Sequence, residues 1–170
     1  MKRRFRKLVD QHRHRIYTFA YYHLGNREEA EDVSQEVLMR MWKNWEEVEP
    51  ATLPAWITRV TRNACIDALR KRTRYQAMVI PEEDCEASVR SAADRGGQET
   101  VLDAIDIRER LEKALSALEE PYRAIVILRE IQGMTYEEIS EVLDIPLGTI
   151  KVYLHRGRRK LRRRLVEGTV

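Results

Sequence analysis

The chain has 170 residues, of which 43% are hydrophobic and 35% are charged, and its formal net charge is +3. This length allows one domain or two small ones, and the composition is too polar for a membrane protein. No apolar run approaches the roughly 20 residues of a spanning helix, and the N-terminus lacks the apolar segment of a signal peptide, so we expect a cytoplasmic protein. Cys65 and Cys85 belong to no CxxC pair, so neither a disulfide scaffold nor a metal site is indicated.

Charge divides the chain into three parts. Lys and Arg minus Asp and Glu gives +6 for residues 1–75, −6 for residues 76–106 and +3 for residues 107–170. The middle part also contains Pro81 and the pair Gly96-Gly97 among small residues, which is typical of a linker. Helical periodicity dominates both ends, and no stretch alternates with a period of two. The sequence therefore predicts an all-α protein with two small helical domains joined by a flexible acidic linker.

The first domain begins with one or two predicted helices, which end at Gly25, a residue suited to the left-handed turn after a helix. Another helix follows from Glu28 to about Trp45, with its apolar residues on one face at the 3.6-residue period. The next begins at Pro54, which favours a first helical turn. Its expected buried stripe is Leu53, Ile57, Val60, Ala64 and Ala68.

The second domain begins with a helix and continues with another that Pro121 opens and Gly133 ends. The apolar residues of the earlier helix are Leu111, Leu115 and Leu118. Thr135-Tyr-Glu-Glu138 has the pattern of a capping box, in which each residue's side chain accepts from the other's backbone N–H. We therefore expect a short helix that ends near Leu143, followed by one last helix.

The connection between these last two helices has the pattern of a helix-turn-helix. Close crossing of the two helices needs a small residue, a residue that tolerates left-handed backbone, and an apolar residue. Ser140, Asp144 and Ile150 fill these positions, and Thr149 is expected to cap the final helix. The pattern and the basic final helix favour DNA binding, with a simple helical hairpin as the alternative.

Residues 149–165 contain eight Lys or Arg, one His and no acid. Projection at 100° per residue separates an apolar stripe from an outward face. The stripe comprises Ile150, Leu154, Gly157, Leu161 and Leu165, and the outward face Val152, Arg156, Arg159 and Arg163. We interpret the stripe as core and the outward face as a DNA reader, in which Arg156 contacts guanine and Val152 a thymine methyl. A helix lying on a membrane is disfavoured because the stripe lacks Trp and Phe and is needed for the core.

A second unusual face lies in the first domain, at spacings of three and four residues opposite the buried stripe. It comprises Trp56, Arg59, Asn63, Asp67, Arg70 and Arg74. Arginines follow a phosphate backbone, and an exposed Trp can stack on a base of separated strands. The alternative is a half-buried Trp56 beside solvated arginines. The second DNA-binding candidate in the same chain favours nucleic acid.

The preceding helix presents a polar side with Asp32, Gln35, Glu36, Met39 and Lys43. An exposed Met among acids suits a protein partner better than DNA. A solvated helix with one stray Met is at least as good an interpretation from composition alone. No P-loop, Gly-rich dinucleotide turn, HExxH or activated nucleophile is present, so the sequence indicates no enzyme, cofactor or small-molecule substrate.

Three stretches carry a family resemblance: AEDVSQEVLMRMWKNW, LPAWITRVTRNACIDALRKRTR and MTYEEISEVLDIPLGTIKVYLHRGRRKLRRRL. In this order, they closely resemble bacterial RNA polymerase sigma factors of the extracytoplasmic-function group. The resemblance implies a sigma-2-like domain at residues 1–75, an acidic linker at 76–106 and a sigma-4-like domain at 107–170. These domains would bring the polymerase to the minus-10 and minus-35 elements of promoter DNA.

The resemblance also implies a role for each set of residues. The set docking on the clamp helices of the largest polymerase subunit is Asp32, Gln35, Glu36 and Met39. The set engaging the minus-10 element and assisting DNA melting is Trp56, Arg59, Arg62, Asn63, Asp67 and Arg70. The set contacting the minus-35 element is Thr149, Lys151, Val152, Tyr153, His155, Arg156 and Arg159. The flap of the second-largest subunit and an anti-sigma factor are the other implied partners.

The sequence departs from the family pattern in its final helix. Val152 replaces a Ser, Tyr153 an Arg, and Gly157 an Ala of the common motif. We therefore expect minus-35 recognition with more apolar contact and less guanidinium contact. Two other functions remain open: a helix-turn-helix repressor or activator that works without joining polymerase, and a recombinase with a C-terminal helix-turn-helix.

Overall fold

A computed structural model describes residues 2–79 and 99–167, and within these ranges every regular element is a helix. The first half contains α1 (Lys2–Leu24), α2 (Arg27–Asn44) and α3 (Leu53–Met78). The second half contains α4 (Glu99–Ser116), α5 (Tyr122–Val126), α6 (Tyr136–Leu143) and α7 (Leu147–Glu167). A π-helical turn, Ile127–Ile131, continues α5. The predicted all-α fold is confirmed, while most of the predicted linker lies outside the described residues.

Helices α1, α2 and α3 form a bundle whose boundaries follow from local sequence. Gly25 has a φ of +63° after α1, in the left-handed region that favours glycine. The side chain of Asn26 then accepts a 3.0 Å hydrogen bond from the amide of Glu29 and caps α2. Pro54 lies in the first turn of α3, as expected.

The buried stripe of α3 differs from the expected one at two positions. Val60 and Ala68 are only partly buried, whereas Thr61 and Cys65 are fully buried. Thr61 thus replaces Val60 as the buried residue of its turn, and Cys65 is buried beside the expected Ala64. Thr61 is tolerated in the core because its hydroxyl donates to the carbonyl of Ile57 at 2.8 Å.

Helices α6 and α7 form the expected helix-turn-helix. Both hydrogen bonds of the capping box between Thr135 and Glu138 are present at the start of α6. Asp144 adopts the left-handed conformation in the turn, with a φ of 54°. The expected cap at Thr149 is wrong: α7 begins at Leu147, and Thr149 lies inside its first turn. The helix starts early because the ring of Pro146 fixes its φ, and the carbonyl of Pro146 accepts a 3.0 Å hydrogen bond from the amide of Ile150.

Helix α7 packs closely against α5 at Gly157. A Cβ at this position would lie 2.8 Å from Cγ2 of Val126, closer than carbon atoms approach in folded proteins. The glycine inside the apolar stripe is therefore explained by the approach of another helix. Ile150 and Leu154 of the same stripe are fully buried, as the projection predicted.

The two halves of the chain pack against each other. The hydroxyl of Tyr21 in α1 donates to Glu112 in α4 at 2.7 Å, and Gln132 donates to the carbonyl of Arg15 at 2.8 Å. Arg123 donates to the carbonyl of His23 at 3.0 Å. These contacts fix the orientation of the second half on the first, which the sequence did not predict.

Candidate nucleic-acid interface

The outward face of α7 exposes most of the residues that the sequence predicts to contact DNA. We call it the recognition face; its exposed members are Lys151, Val152, His155, Arg156 and Arg159. Within the described ranges, none of its three cations pairs with an acid or another acceptor. These charges are therefore available to phosphates and base edges.

Tyr153 belongs to the same predicted set but packs inside the domain. Its ring is half-buried and meets the ring of Tyr122 in α5 edge to face, with centroids 5.3 Å apart. Lys160, two turns later, lies over the same Tyr122 ring at 4.5 Å. Thr149 is also half-buried. The more exposed residues therefore contribute most of the accessible recognition surface.

The second candidate DNA surface lies along α3, and we call it the α3 surface. Its exposed members are Arg59, Asn63, Asp67 and Arg70, and its half-buried members are Trp56 and Arg62. Trp56 packs against the core, which leaves only part of its indole for stacking. Arg70 lies 3.7 Å from Asp67, an exposed pair of small energetic value.

Arg59 contacts the helix-turn-helix directly. Its Nε donates to the carbonyl of Val142 at 3.1 Å, and an Nη donates to the carbonyl of Glu141 at 2.9 Å. Both carbonyls belong to the last turn of α6, where carbonyls lack partners in the helix and the helix dipole favours a cation. The side chain therefore caps the C-terminus of α6. The sequence contains no signal for this contact, which joins positions more than 80 residues apart.

Arg62 reaches a second contact between the two halves of the chain. Its guanidinium lies 3.4 Å from Glu120, and Nε2 of His23 lies 2.6 Å from the other oxygen of that carboxylate. Because an ionised carboxylate can only accept hydrogen bonds, we assign the proton of the fully buried His23 ring to Nε2, which donates to Glu120. Among the described groups, Nδ1 of His23 and Nε of Arg62 are buried without a hydrogen-bond partner. The contact is thus only partly satisfied.

The protonation states of this cluster follow from burial and charge. Burial disfavours the imidazolium and lowers the pKa of His23, despite the neighbouring carboxylate. Burial alone would raise the pKa of Glu120, but the hydrogen bond from His23 and the nearby arginines lower it overall. We therefore assign a neutral histidine and an ionised glutamate at neutral pH.

The predicted polymerase-docking residues lie together on α2. Asp32, Gln35 and Met39 are exposed, whereas Glu36 is half-buried and pairs with Arg40 on the same helix. The Met39 side chain is 60% exposed, a large fraction for an apolar residue. We call this surface the docking face; on it the four predicted residues are brought together.

Trp42 extends the docking face and was missed by sequence reasoning. It lies one helical turn after Met39 and is 47% exposed, while its ring meets Phe5 of α1 edge to face at 4.7 Å. The spacing of three residues from Met39 was the available signal. The apolar part of the surface is therefore larger than a single stray Met.

The described parts of the chain contain no cluster of His, Cys, Asp or Glu suited to a metal ion. No helix in those parts is long and apolar enough to cross a membrane.

Two family profiles match the two halves of the chain. Residues 8–75 match Sigma-70 region 2, and residues 108–161 match Sigma-70, region 4. The chain belongs to the sigma-70 family. The resemblance found in the sequence is thus confirmed, and both candidate DNA surfaces lie within the matched residues.

Curated relatives refine the assignment to the extracytoplasmic-function group. The chain is 35% identical over 156 residues to the ECF RNA polymerase sigma factor SigE of Mycolicibacterium smegmatis. That match covers 92% of this chain and 59% of SigE, so the chain spans somewhat over half of that relative. It is 31% identical to the ECF RNA polymerase sigma factor SigW of Bacillus subtilis, covering 95% of this chain and 88% of SigW.

Solved structures share the fold across both halves of this ECF sigma factor. The sigma factor RpoE of Bartonella quintana, in complex with the anti-sigma factor NepR, superposes with a TM-score of 0.71 at 25% identity and covers 98% of each chain. CnrH, in complex with the cytosolic domain of CnrY, superposes with a TM-score of 0.70 at 20% identity, covering 100% of this chain and 92% of that one.

Proposed function

We propose that this ECF sigma factor binds core RNA polymerase and directs it to promoters through a minus-10 and a minus-35 element. The observation that carries the proposal is the recognition face of α7. It presents Lys151, Arg156 and Arg159 unpaired within the described structure, on the second helix of a helix-turn-helix. A basic second helix of this kind is suited to the major groove.

Each candidate surface then has one role. The recognition face contacts the minus-35 element: Arg156 reaches base edges, Val152 provides apolar contact, and Lys151, His155 and Arg159 bind phosphates. Tyr153 and Thr149 support this helix from partly buried positions. On the α3 surface, Arg59, Arg62 and Arg70 follow the strand of the minus-10 element. Trp56, Asn63 and Asp67 complete this set and contact unstacked bases during melting.

The docking face supports binding to the clamp helices of the largest polymerase subunit. Exposed apolar side chains surrounded by acids fit a partner with both apolar and basic residues. We further infer regulation by an anti-sigma factor, since the similar fold of RpoE occurs in a complex with the anti-sigma factor NepR. The family resemblance adds a contact with the flap of the second-largest polymerase subunit to the proposal. The protein thereby acts in the cytoplasm, as an initiation factor and not as an enzyme.

Binding to core polymerase is tested by a pulldown with Met39→Asp. Burying a new charge at the centre of an interface should weaken binding at least tenfold. Met78→Asp is the matched control, because Met78 is 79% exposed and lies at the far end of α3. Equal binding by wild type and Met39→Asp would remove the docking face from the proposal.

Promoter selection is tested by transcription in vitro with core polymerase on a library of genomic promoters. The proposed function requires specific transcripts that core polymerase alone does not make. A repressor or activator, the alternative function, would bind DNA by itself and would not join core polymerase. Site selection with the Tyr153→Arg holoenzyme tests the sequence departure in α7, and unchanged preferred sites would contradict it.

A further inference from the structure

The first half of α1 carries a basic surface that belongs to neither candidate DNA surface. We call it the α1 surface; its exposed cations are Arg3, Arg4, Arg6, Lys7, Arg13 and Arg15. Asp10 is the only acid in residues 3–15. Within the part of the chain that the structure describes, no side chain of these six cations pairs with an acid. On the neighbouring helices, by contrast, Arg27, Arg40 and Arg72 are each paired with a glutamate.

The cations of the α1 surface oppose the stability of their own helix. The helix dipole favours acids in the first turn, and α1 has none there. Arg3 and Lys7 are four residues apart and therefore neighbours on the helix, where like charges repel each other. A sequence that breaks local rules without a gain in packing is expected at a functional surface.

The composition of the α1 surface favours an anionic chain over an apolar partner. None of the exposed large apolar side chains of the described residues lies in α1, and Phe5, Leu8 and Val9 pack against the core. A helix that lies on a membrane or fills an apolar groove needs such side chains. Cations without apolar neighbours bind a phosphate backbone, because each contact releases counterions that the nucleic acid had condensed.

Helices α1 and α3 run side by side in the same direction. A small cavity is lined by His12 of α1 and Pro54 at the start of α3. Further along, Arg72 of α3 donates to the carbonyl of Leu24, the last residue of α1. Residues 3–11 therefore project past the start of α3 by about 14 Å, at a rise of ~1.5 Å per residue.

A DNA strand that leaves the α3 surface at its Trp56 end passes the projecting part of α1. Trp56 is the residue suited to unpaired bases, and melting has to extend from the minus-10 element to the transcription start. The unpaired strand therefore leaves this end in the downstream direction. The connection between α2 and α3 exposes Glu46, Glu47 and Glu49, which repel phosphates, so the backbone is expected to run along the α1 side.

We propose that the α1 surface binds the phosphates of the unpaired promoter strand just downstream of the minus-10 element. The projecting part of α1 has room for about four nucleotides, at a rise of ~3.4 Å per nucleotide of one strand. Contacts to phosphates carry no sequence information, so this surface stabilises the melted strand and does not select the promoter. The inference rests on the proposed function of the α3 surface.

The test removes two neighbouring charges from the α1 surface with Arg3→Gln/Lys7→Gln. Arg27→Gln/Lys113→Gln is the matched control, because both of its residues are exposed on other helices and belong to none of the proposed binding sets. Both variants lose two positive charges. The melting temperature of Arg3→Gln/Lys7→Gln should equal or exceed that of wild type, because the removed cations oppose the helix dipole. Weaker DNA binding would then not be a consequence of unfolding.

Holoenzyme made with core polymerase is bound to two fluorescent probes of a promoter found in the transcription assay. Both contain a duplex minus-35 element and an unpaired minus-10 element. The unpaired strand of the shorter probe ends at the minus-10 element, and that of the longer probe continues downstream for about six nucleotides, enough to cover the α1 surface.

On the longer probe, Arg3→Gln/Lys7→Gln should bind about tenfold more weakly than wild type at physiological salt. The slope of log affinity against log salt should be smaller by about 1.4, because each contact with a single-strand phosphate contributes ~0.7. On the shorter probe, wild type and Arg3→Gln/Lys7→Gln should bind equally. Arg27→Gln/Lys113→Gln should match wild type on both probes.

Uncharged methylphosphonates at the downstream nucleotides of the longer probe test the phosphates directly. Wild type should lose about tenfold on this probe, whereas Arg3→Gln/Lys7→Gln should lose nothing more, because the two changes remove the same contact. Equal binding of the longer probe by wild type and Arg3→Gln/Lys7→Gln overturns the proposal. An equal loss on both probes also overturns it, because the effect would then lie in polymerase binding, and so does the same loss in the control.

The same measurements separate this inference from the proposed function. Specific binding of both probes by wild-type holoenzyme supports the proposed function whatever the α1 variant does. Wild-type holoenzyme that prefers neither probe over unrelated DNA would contradict the proposed function itself, and the role of the α1 surface with it.

Discussion

Gly157→Ala tests whether the close approach of α7 to α5 determines the stability of the second half. Two effects of the added methyl oppose each other. An alanine in the middle of a helix is more favourable than glycine by about 1 kcal/mol. The new Cβ would lie 2.8 Å from Cγ2 of the buried Val126, whereas its 3.6 Å distance from Cβ of the half-buried Tyr122 is an ordinary van der Waals contact.

The clash should exceed the gain in helix propensity. Overpacking a tight core costs about 1–3 kcal/mol, and Val126 is 1% exposed, with little room to move. We expect Gly157→Ala to lower the free energy of unfolding by about 1 kcal/mol. Val126→Ala removes the clashing methyl, so the double variant should be more stable than the sum of the two single effects by about 1–2 kcal/mol.

Urea denaturation followed by circular dichroism measures all four proteins of this cycle. The reasoning is refuted if Gly157→Ala is more stable than wild type by the full helix-propensity gain. It is also refuted if the two substitutions are additive, because additivity would mean that Gly157 and Val126 do not interact.

Three further expectations follow from single side chains. Burial lowers the pKa of His23, so the folded form resists protonation of this imidazole. Stability present above pH 6.5 should therefore fall on acidification toward pH 5, as seen in urea unfolding at each pH, and His23→Gln should flatten this dependence. The lowered pKa of Glu120 adds a further loss of stability only below pH 4.5. Arg72→Ala loses the ion pair to α2 and a 3.1 Å bond to the last carbonyl of α1, and should lower the melting temperature by an amount equivalent to about 1 kcal/mol. Arg74→Ala, at an exposed position of the same helix, is its control. Equal melting temperatures for the two variants would show that the contacts of Arg72 do not stabilise the bundle. Asp144→Val should destabilise the helix-turn-helix by about 1–2 kcal/mol, because a β-branched residue disfavours a φ of 54°, and unchanged unfolding would contradict the assigned turn.

Local sequence determined much of the helix-turn-helix. The capping box at Thr135 and Glu138 and the left-handed turn at Asp144 depend on neighbours within a few residues, so the pattern alone predicts them. Gly157 was recognisable because a glycine within an apolar helical stripe needs a packing reason. The misplaced cap at Thr149 also concerns only neighbouring residues, since α7 begins at Leu147, directly after Pro146.

The contacts between the two halves could not be predicted from the sequence, for a physical reason. Nothing near Arg59 specifies the end of α6 as its partner, because any exposed helix C-terminus offers similar carbonyls. The same holds for His23, whose partner Glu120 lies 97 positions away along the chain. The composition of the α3 surface was predictable, but its partial coverage required the three-dimensional arrangement.

The contacts of Tyr122 have a consequence for the recognition helix. Tyr153 and Lys160 of α7 both rest on this one ring, from positions two turns apart. With the buried stripe of α7, they hold the rotation of this helix about its own axis, which determines the side chains that point toward a DNA groove. In the proposed minus-35 complex, the direction in which the DNA-contacting side chains of α7 point thus depends on Tyr122 of α5. This tyrosine therefore influences promoter choice without contacting a base.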